Sequence, residues 1–219
     1  MRLLPVLILA LLAPLRALAS SEDACAEAAA NAAERHGVPY ELMMAVGRVE
    51  SGRDTSLGFM PWPWSINAAG EGAHFDTEKD LLDAARKLAE AGQNNFDLGC
   101  FQINYGWHGQ EFASLEAMID PEINADYAAA FLQQLYESKG DWMLAAGAYH
   151  SETPEKAEIY LAKIAEVMGR PIDEPVVTAT TEGGLTKAEP DWFLKADMPA
   201  VAAMGSLVRL TCSTCAQLP

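Results

Sequence analysis

The stretch from Tyr40 to Gly52, YELMMAVGRVESG, is an apolar helical pattern that ends on the pair Glu50-Ser51. Met43, Val46, Gly47 and Glu50 recur at steps of three and four residues, which puts them along one helix face, with Leu42 and Val49 beside them. A carboxyl on an apolar face is poorly hydrated when ionised, so its pKa rises and it stays protonated near neutral pH. Such a group can donate a proton to a bound substrate. The plainer alternative is a solvated Glu at a helix end.

Two further stretches stand out from the helical background. One is FDLGCFQINYGWH, Phe96 to His108, which lacks helix-capping signals; the other is AAGAYHS, Ala145 to Ser151. His74, His108 and His150 fit no common ligand spacing, and no motif pairs a Ser or Cys nucleophile with a base. Neither a metal nor a cofactor is expected.

The elements that must position these residues are marked by helix punctuation. A first helix is expected from about Glu22 to Arg35 with Gly37 as its stop, and Pro39 opens the helix that carries Glu50. Thr77-Glu78-Lys79-Asp80 starts a third, which stops at Gly92. Asp120-Pro121 starts a fourth that runs to Gly140, Asp141 caps a fifth ending at Tyr149-His150, and Thr153-Pro154 opens a sixth ending at Gly169. Between Arg53 and Phe75 the helical period is lost. There, Trp64, Ile66 and the Asn67-Ala68-Ala69-Gly70 bend predict a short strand or small hairpin. Trp62 and Trp64 fit core packing at least as well as stacking on a sugar. With no alternation of strands and helices and no Gly-rich phosphate loop, a nucleotide-binding α/β fold is excluded.

Glu50-Ser51, then Gly99-Cys100-Phe101-Gln102-Ile103-Asn104, then Ala148-Tyr149-His150 resemble, in order, the Glu-Ser, Gly-Leu-Met-Gln-Ile and Ala-Tyr-Asn signatures of lytic transglycosylases with a soluble-type (SLT) catalytic domain. The similarity covers roughly Cys25 to Gly169. It implies a mainly α, lysozyme-like α+β domain of about six helices with a small hairpin-like insert. It also implies that Glu50 is the catalytic acid, that Ser51 orients its carboxylate, and that Gln102 and the Phe101 backbone contact the substrate's N-acetyl groups. Tyr149 would hydrogen-bond near the reacting centre, with Asn104 and His150 beside the substrate. Three features depart from the family. About fifty residues separate Glu50 from Gly99, so the aromatic Pro61 to Phe75 region reads as an insertion beside the cleft. His150 stands where the family usually has Asn. Cys100 stands where Leu is common and, since Cys25 opens the domain, these two are predicted to pair.

The implied chemistry is non-hydrolytic cleavage of the bond between N-acetylmuramic acid and N-acetylglucosamine in peptidoglycan. A direct hydrolase usually carries a second carboxylate. Asp54 and Asp97 are the nearest candidates by motif, and both read as loop-capping or surface residues. A hydrolytic muramidase on the same fold is the competing enzyme. A catalytically idle wall-binding or assembly protein is the competing non-enzyme.

The flanks complete the expected organisation. Residues 1–19 combine Arg2, an apolar run from Leu3 to Leu15 and an A-x-A pattern at Ala17 and Ala19, which reads as a secretory signal peptide, with no stable membrane span after cleavage. The catalytic domain is then 20–170, a Thr-, Pro- and Gly-rich linker 171–190, and a C-terminal tail 191–219 that reads as a partner-docking element, for which the family resemblance implies a flagellar or secretion-system protein. Loss of Arg2 and Arg16 reduces the 15 basic residues to 13 against 31 acidic ones, a net charge of about −18 that excludes nucleic acid as a partner. Export to the periplasm suits paired cysteines. For Cys212 and Cys215, a local disulfide or two thiols is favoured over a zinc site.

Overall fold

The computed structural model describes residues 20–169. The signal-peptide reading of 1–19, the linker 171–190, the tail 191–219 and the Cys212/Cys215 pair lie outside the described residues. Eight α-helices and two small antiparallel sheets make up the described part: α1 (Ala24–His36), α2 (Tyr40–Ser51), β1 (Gly52–Thr55), β2 (Gly58–Pro61), β3 (Ser65–Ala68), β4 (Glu71–His74), α3 (Glu78–Glu90), β5 (Phe96–Leu98), β6 (Ile103–Asn104), α4 (Tyr105–His108), α5 (Leu115–Ile119), α6 (Pro121–Lys139), α7 (Trp142–His150) and α8 (Pro154–Val167). None of these helices is long and apolar enough to cross a membrane.

All six helices expected from the punctuation are present; three of the expected N-caps form their side-chain hydrogen bonds, whereas Thr153 makes none. Thr77 accepts from Asp80 N, Asp120 accepts from Ile123 N ahead of Pro121, and Asp141 accepts from both Met143 N and Leu144 N. Gly37 and Gly140 close α1 and α6 in the left-handed conformation. The two additional helices, α4 and α5, have four and five residues. Segments that short hold barely one turn and show no hydrophobic period.

α1 lies along α6 through small residues. Ala28, Ala29 and Ala32 of α1 and Ala125, Ala128 and Ala129 of α6 are all fully buried, which lets the two backbones approach closely. α2 runs through the middle of the domain, packed by α1, α8 and β2. Its central residues Leu42 to Gly47 are therefore buried on every side, where a single apolar face was expected. Gly47 permits the approach of β2, since a Cβ there would lie 3.0 Å from the Pro61 ring.

Where a short strand or small hairpin was expected between Arg53 and Phe75, the structure has two hairpins. β1 and β2 pair as a separate ribbon, and β3 and β4 begin a four-stranded sheet of order β4-β3-β5-β6. The β3–β4 turn is Ala69-Gly70, both at positive φ (55° and 90°), a geometry matched to the right-handed twist of a tight hairpin. Trp62 is almost completely buried, donates its indole N–H to Phe75 O and lies under the Arg53 guanidinium, so it packs rather than faces a ligand. Trp64 donates to Ser21 Oγ and packs partly buried against the core.

Candidate active site

Glu50 stands in the last turn of α2, where the helix gives way directly to β1. It borders a cavity of about 230 Å³ together with Arg48, Ser51, Asn67, His74 and Gln102. Part of its surface is open to this cavity, yet burial around the carboxyl pushes its pKa up to about 7. The Tyr160 hydroxyl and Lys163 of α8 oppose that rise, and the charge of Asp97 adds to it. A carboxyl with this pKa is protonated in a large fraction of molecules at neutral pH, which suits a proton donor.

The segment from Gly99 to Asn104 is held against the end of α2 by three connections. Cys25 and Cys100 form a disulfide (S–S 2.07 Å), the pair predicted from sequence, and it ties the start of α1 to this loop. Ser51 Oγ, buried, donates to Cys100 O at 2.7 Å, lies 3.1 Å from Gly47 O, and accepts from Trp62 N at 3.2 Å. Its hydrogen bonds thus join α2, the loop and the insert. Any orientation Ser51 gives to the Glu50 carboxyl is exerted through the backbone.

The third connection is Asn124 of α6, which the sequence reading did not single out. Its fully buried amide donates to Leu98 O and Met118 O and accepts from Phe101 N, at 2.9–3.1 Å. Gly99, at φ +81°, passes so close that a Cβ would lie 2.7 Å from Asn124 Nδ2. Replacing Asn124 by Ala should cost about 3 kcal/mol, because two carbonyls and one N–H would be left buried without partners. Urea denaturation measures this directly. A loss below about 1 kcal/mol would mean that the loop re-satisfies those groups.

Gln102 sits in the left-handed region at φ 47°, an uncommon conformation for a residue with a side chain. Its amide N–H groups donate to Gly99 O (3.0 Å) and Ser65 O (3.2 Å), which fixes the amide orientation and leaves Oε1 available to a donor in the cavity it borders. The Phe101 ring is fully buried, while its N–H is taken by Asn124 and its C=O accepts the Tyr149 hydroxyl at 2.8 Å. That carbonyl retains a second lone pair. Burial and the Glu50 charge push the Tyr149 pKa well above its ordinary value, so it remains a neutral hydrogen-bond donor.

Asn104 caps α4 by accepting from Trp107 N, and its amide N–H donates to Asp97 Oδ1 at 2.7 Å. His150 is exposed and its ring stacks on Tyr160, with centroids 4.5 Å apart and planes 3° apart. Partial burial and then Lys163 and Lys156 lower its pKa.

Tyr160 was missed in the sequence because a Tyr at an apolar position of a helix reads as core, and 2% exposure fits that description. Its hydroxyl, however, is adjacent to the Glu50 carboxyl and, among the described residues, is the buried side-chain polar atom with no hydrogen bond of good geometry. His74 is the other unforeseen neighbour, with Nε2 3.2 Å from Ser51 O on the cavity wall. His108 lies elsewhere, with Nδ1 2.8 Å from the Tyr127 hydroxyl. The three histidines thus take part in three separate sets of contacts.

Helices packed around one central helix, two small antiparallel sheets and a carboxyl with its pKa raised to about 7 define a mainly helical α+β domain of lysozyme-like type. Residues 82–158 match the family model described as the transglycosylase SLT domain. The matched segment includes the Gly99–Asn104 loop and Ala148-Tyr149-His150, while Glu50 and Ser51 precede it. No match was found among curated proteins or solved structures.

Proposed function

We propose that this protein is a peptidoglycan lytic transglycosylase that cleaves the β-1,4 bond between N-acetylmuramic acid and N-acetylglucosamine without consuming water. The observation that carries the reading is Glu50: a carboxyl with its pKa raised to about 7, in a cavity bordered by the motif loop of an SLT domain. In this mechanism Glu50 donates its proton to the glycosidic oxygen as the C1–O bond breaks, and the substrate's acetamido oxygen bonds to C1. The muramic acid 6-hydroxyl then displaces that oxygen at C1 and returns its proton to Glu50, forming the 1,6-anhydro ring. One carboxyl acts first as acid and then as base, and no second proton carrier is required.

Gln102 Oε1 and the remaining lone pair of Phe101 O are available to amide N–H groups of the substrate. The unpartnered Tyr160 hydroxyl is available to Glu50 or to the leaving oxygen. Ser51 and Asn104 support the loop and the sheet edge beside the cavity, and His150 covers Tyr160. The disulfide supports the wider reading of an exported, periplasmic protein with a signal peptide at 1–19, catalytic domain 20–170 and linker 171–190, whose tail 191–219 engages a flagellar or secretion-system protein.

Mass spectrometry of digested cell wall tests the chemistry. Products ending in anhydro-muramic acid, lighter by one water than reducing ends, are expected. Reducing ends alone would establish the hydrolytic muramidase instead.

A further inference from the structure

With Trp62 and Trp64 engaged in packing, the large aromatic side chain that lines the Glu50 cavity is Phe59. It lies on β2, in the long segment between Glu50 and Gly99 that sets this chain apart from the family pattern. Among the large apolar side chains exposed in the described residues, Phe59, at 47%, is the one that borders this cavity.

A single exposed apolar residue means little by itself, because much of any folded surface is apolar. What distinguishes Phe59 is that it is fixed. Its carbonyl accepts from Arg48 Nε at 3.1 Å, which ties the strand to the last turn of the acid-bearing helix. Its ring packs against Gly52, so closely that a Cβ there would stand 2.2 Å from the ring's Cζ. Gly52 begins β1 two positions after Glu50, so the ring rests on the chain immediately beyond the acid. A side chain already held in this way has little freedom left to lose when a ligand arrives.

The second hairpin adds polar groups to the same cavity. His74 of β4 borders it, with Nε2 3.2 Å from Ser51 O. A carbonyl only accepts, so Nε2 carries the hydrogen, and in the neutral ring Nδ1 is an acceptor. Asn67 of β3 and Gln102 line it as well. The two acidic candidates of the sequence do not. Asp54, the register partner of Phe59, is exposed, and Asp97 is half-buried in the middle of β5 between the core residues Phe96 and Leu98.

We propose that Phe59 is a saccharide-stacking residue, whose ring supports one pyranose of the glycan strand at the rim of the Glu50 cavity and thereby helps to select the substrate. The inference rests on the reading of the site as a glycan-cleaving centre. In β-linked N-acetylglucosamine and N-acetylmuramic acid every ring substituent is equatorial, so each face of the sugar carries only axial C–H bonds. Such a face is apolar, and its hydrogens are attracted by the electron-rich face of a phenyl ring. The hydroxyl and acetamido groups project from the sugar's edge, where His74, Asn67 and Gln102 supply hydrogen-bond partners. An axial hydroxyl would lift a sugar off the aromatic plate, so the contact discriminates by ring configuration.

The test is binding of a β-1,4-linked N-acetylglucosamine tetramer to the full-length protein by calorimetry, beside lysis of purified peptidoglycan. Phe59→Ala should weaken tetramer binding about tenfold and raise KM on peptidoglycan to a similar degree, with kcat within about threefold. Phe59→Tyr, which keeps the aromatic face, should bind within about twofold of wild type, whereas Phe59→Leu, which keeps only apolar bulk, should remain about fivefold weaker. Tetramer binding by the Ala variant within about twofold of wild type would overturn the proposal. So would full recovery by Leu, or a wild type that does not bind the tetramer. If Phe59→Ala lowers the thermal transition, the contrast between Tyr and Leu decides, since both fill the space against Gly52. Phe59-dependent tetramer binding by a protein inert on peptidoglycan would remove the enzyme reading and keep the stacking residue. Lysis by Phe59→Ala at the wild-type KM would do the reverse.

Discussion

Glu50→Gln is expected to abolish wall lysis, with a loss on the order of 10³-fold, since the variant can neither protonate the glycosidic oxygen nor take the proton of the 6-hydroxyl. In the wild type, the rate should fall as pH rises through about 7, where Glu50 loses its proton. Turbidity assays of peptidoglycan across pH measure both. Substantial lysis by the Gln variant would remove Glu50 from the mechanism.

The same substitution should stabilise the fold. Between pH 4.5 and about 7 the folded protein keeps a proton on Glu50 that the unfolded chain releases. The unfolded state is therefore favoured progressively as pH rises through that window, by up to about 3 kcal/mol once pH exceeds the folded pKa, and not at all below the unfolded one. Glu50→Gln removes the effect. Its Tm should exceed that of wild type at about pH 8 and converge with it at about pH 4, the sign of a site held in place at the expense of stability.

Removing the disulfide is the second large effect. Cys25 and Cys100 are 75 residues apart in sequence, and closing a loop of that length restricts the unfolded chain by about 4 kcal/mol in the chain-entropy model. The Cys25→Ala, Cys100→Ala double variant should lose about 3–4 kcal/mol in urea denaturation. Lysis should weaken as well, because Cys100 supplies the carbonyl that accepts from Ser51 at the end of the acid-bearing helix. Unchanged stability would mean that core packing alone holds α1 to the loop.

What could be read from the sequence followed from periodicity and caps. Thr77, Asp120 and Asp141 announce their helices because a side-chain acceptor at that position satisfies an otherwise free N–H. The three motif segments were legible by resemblance; in the structure Gln102 borders the same cavity as Glu50, and the loop accepts hydrogen bonds from Ser51 at Cys100 O and from Tyr149 at Phe101 O. The β5 and β6 strands, of three and two residues, are too short for alternation to register, so the aspect of Asp97 could not be inferred. Asn124 and Tyr160 were hidden for another reason. A helix pattern tells which positions are buried, but not which buried polar atom meets a loop distant in sequence, and that depends on how α6 and α8 pack against the rest of the domain.

The covalent link between Cys25 and Cys100 also determines how the domain carries mechanical load. Tension applied between residues 20 and 169 enters at α1, crosses the sulfur bridge to the motif loop and leaves through the helices that follow. The acid-bearing helix and both hairpins hang in the closed ring between the two cysteines, off the line of force. Glu50 can therefore keep its surroundings while the ends of the domain are pulled.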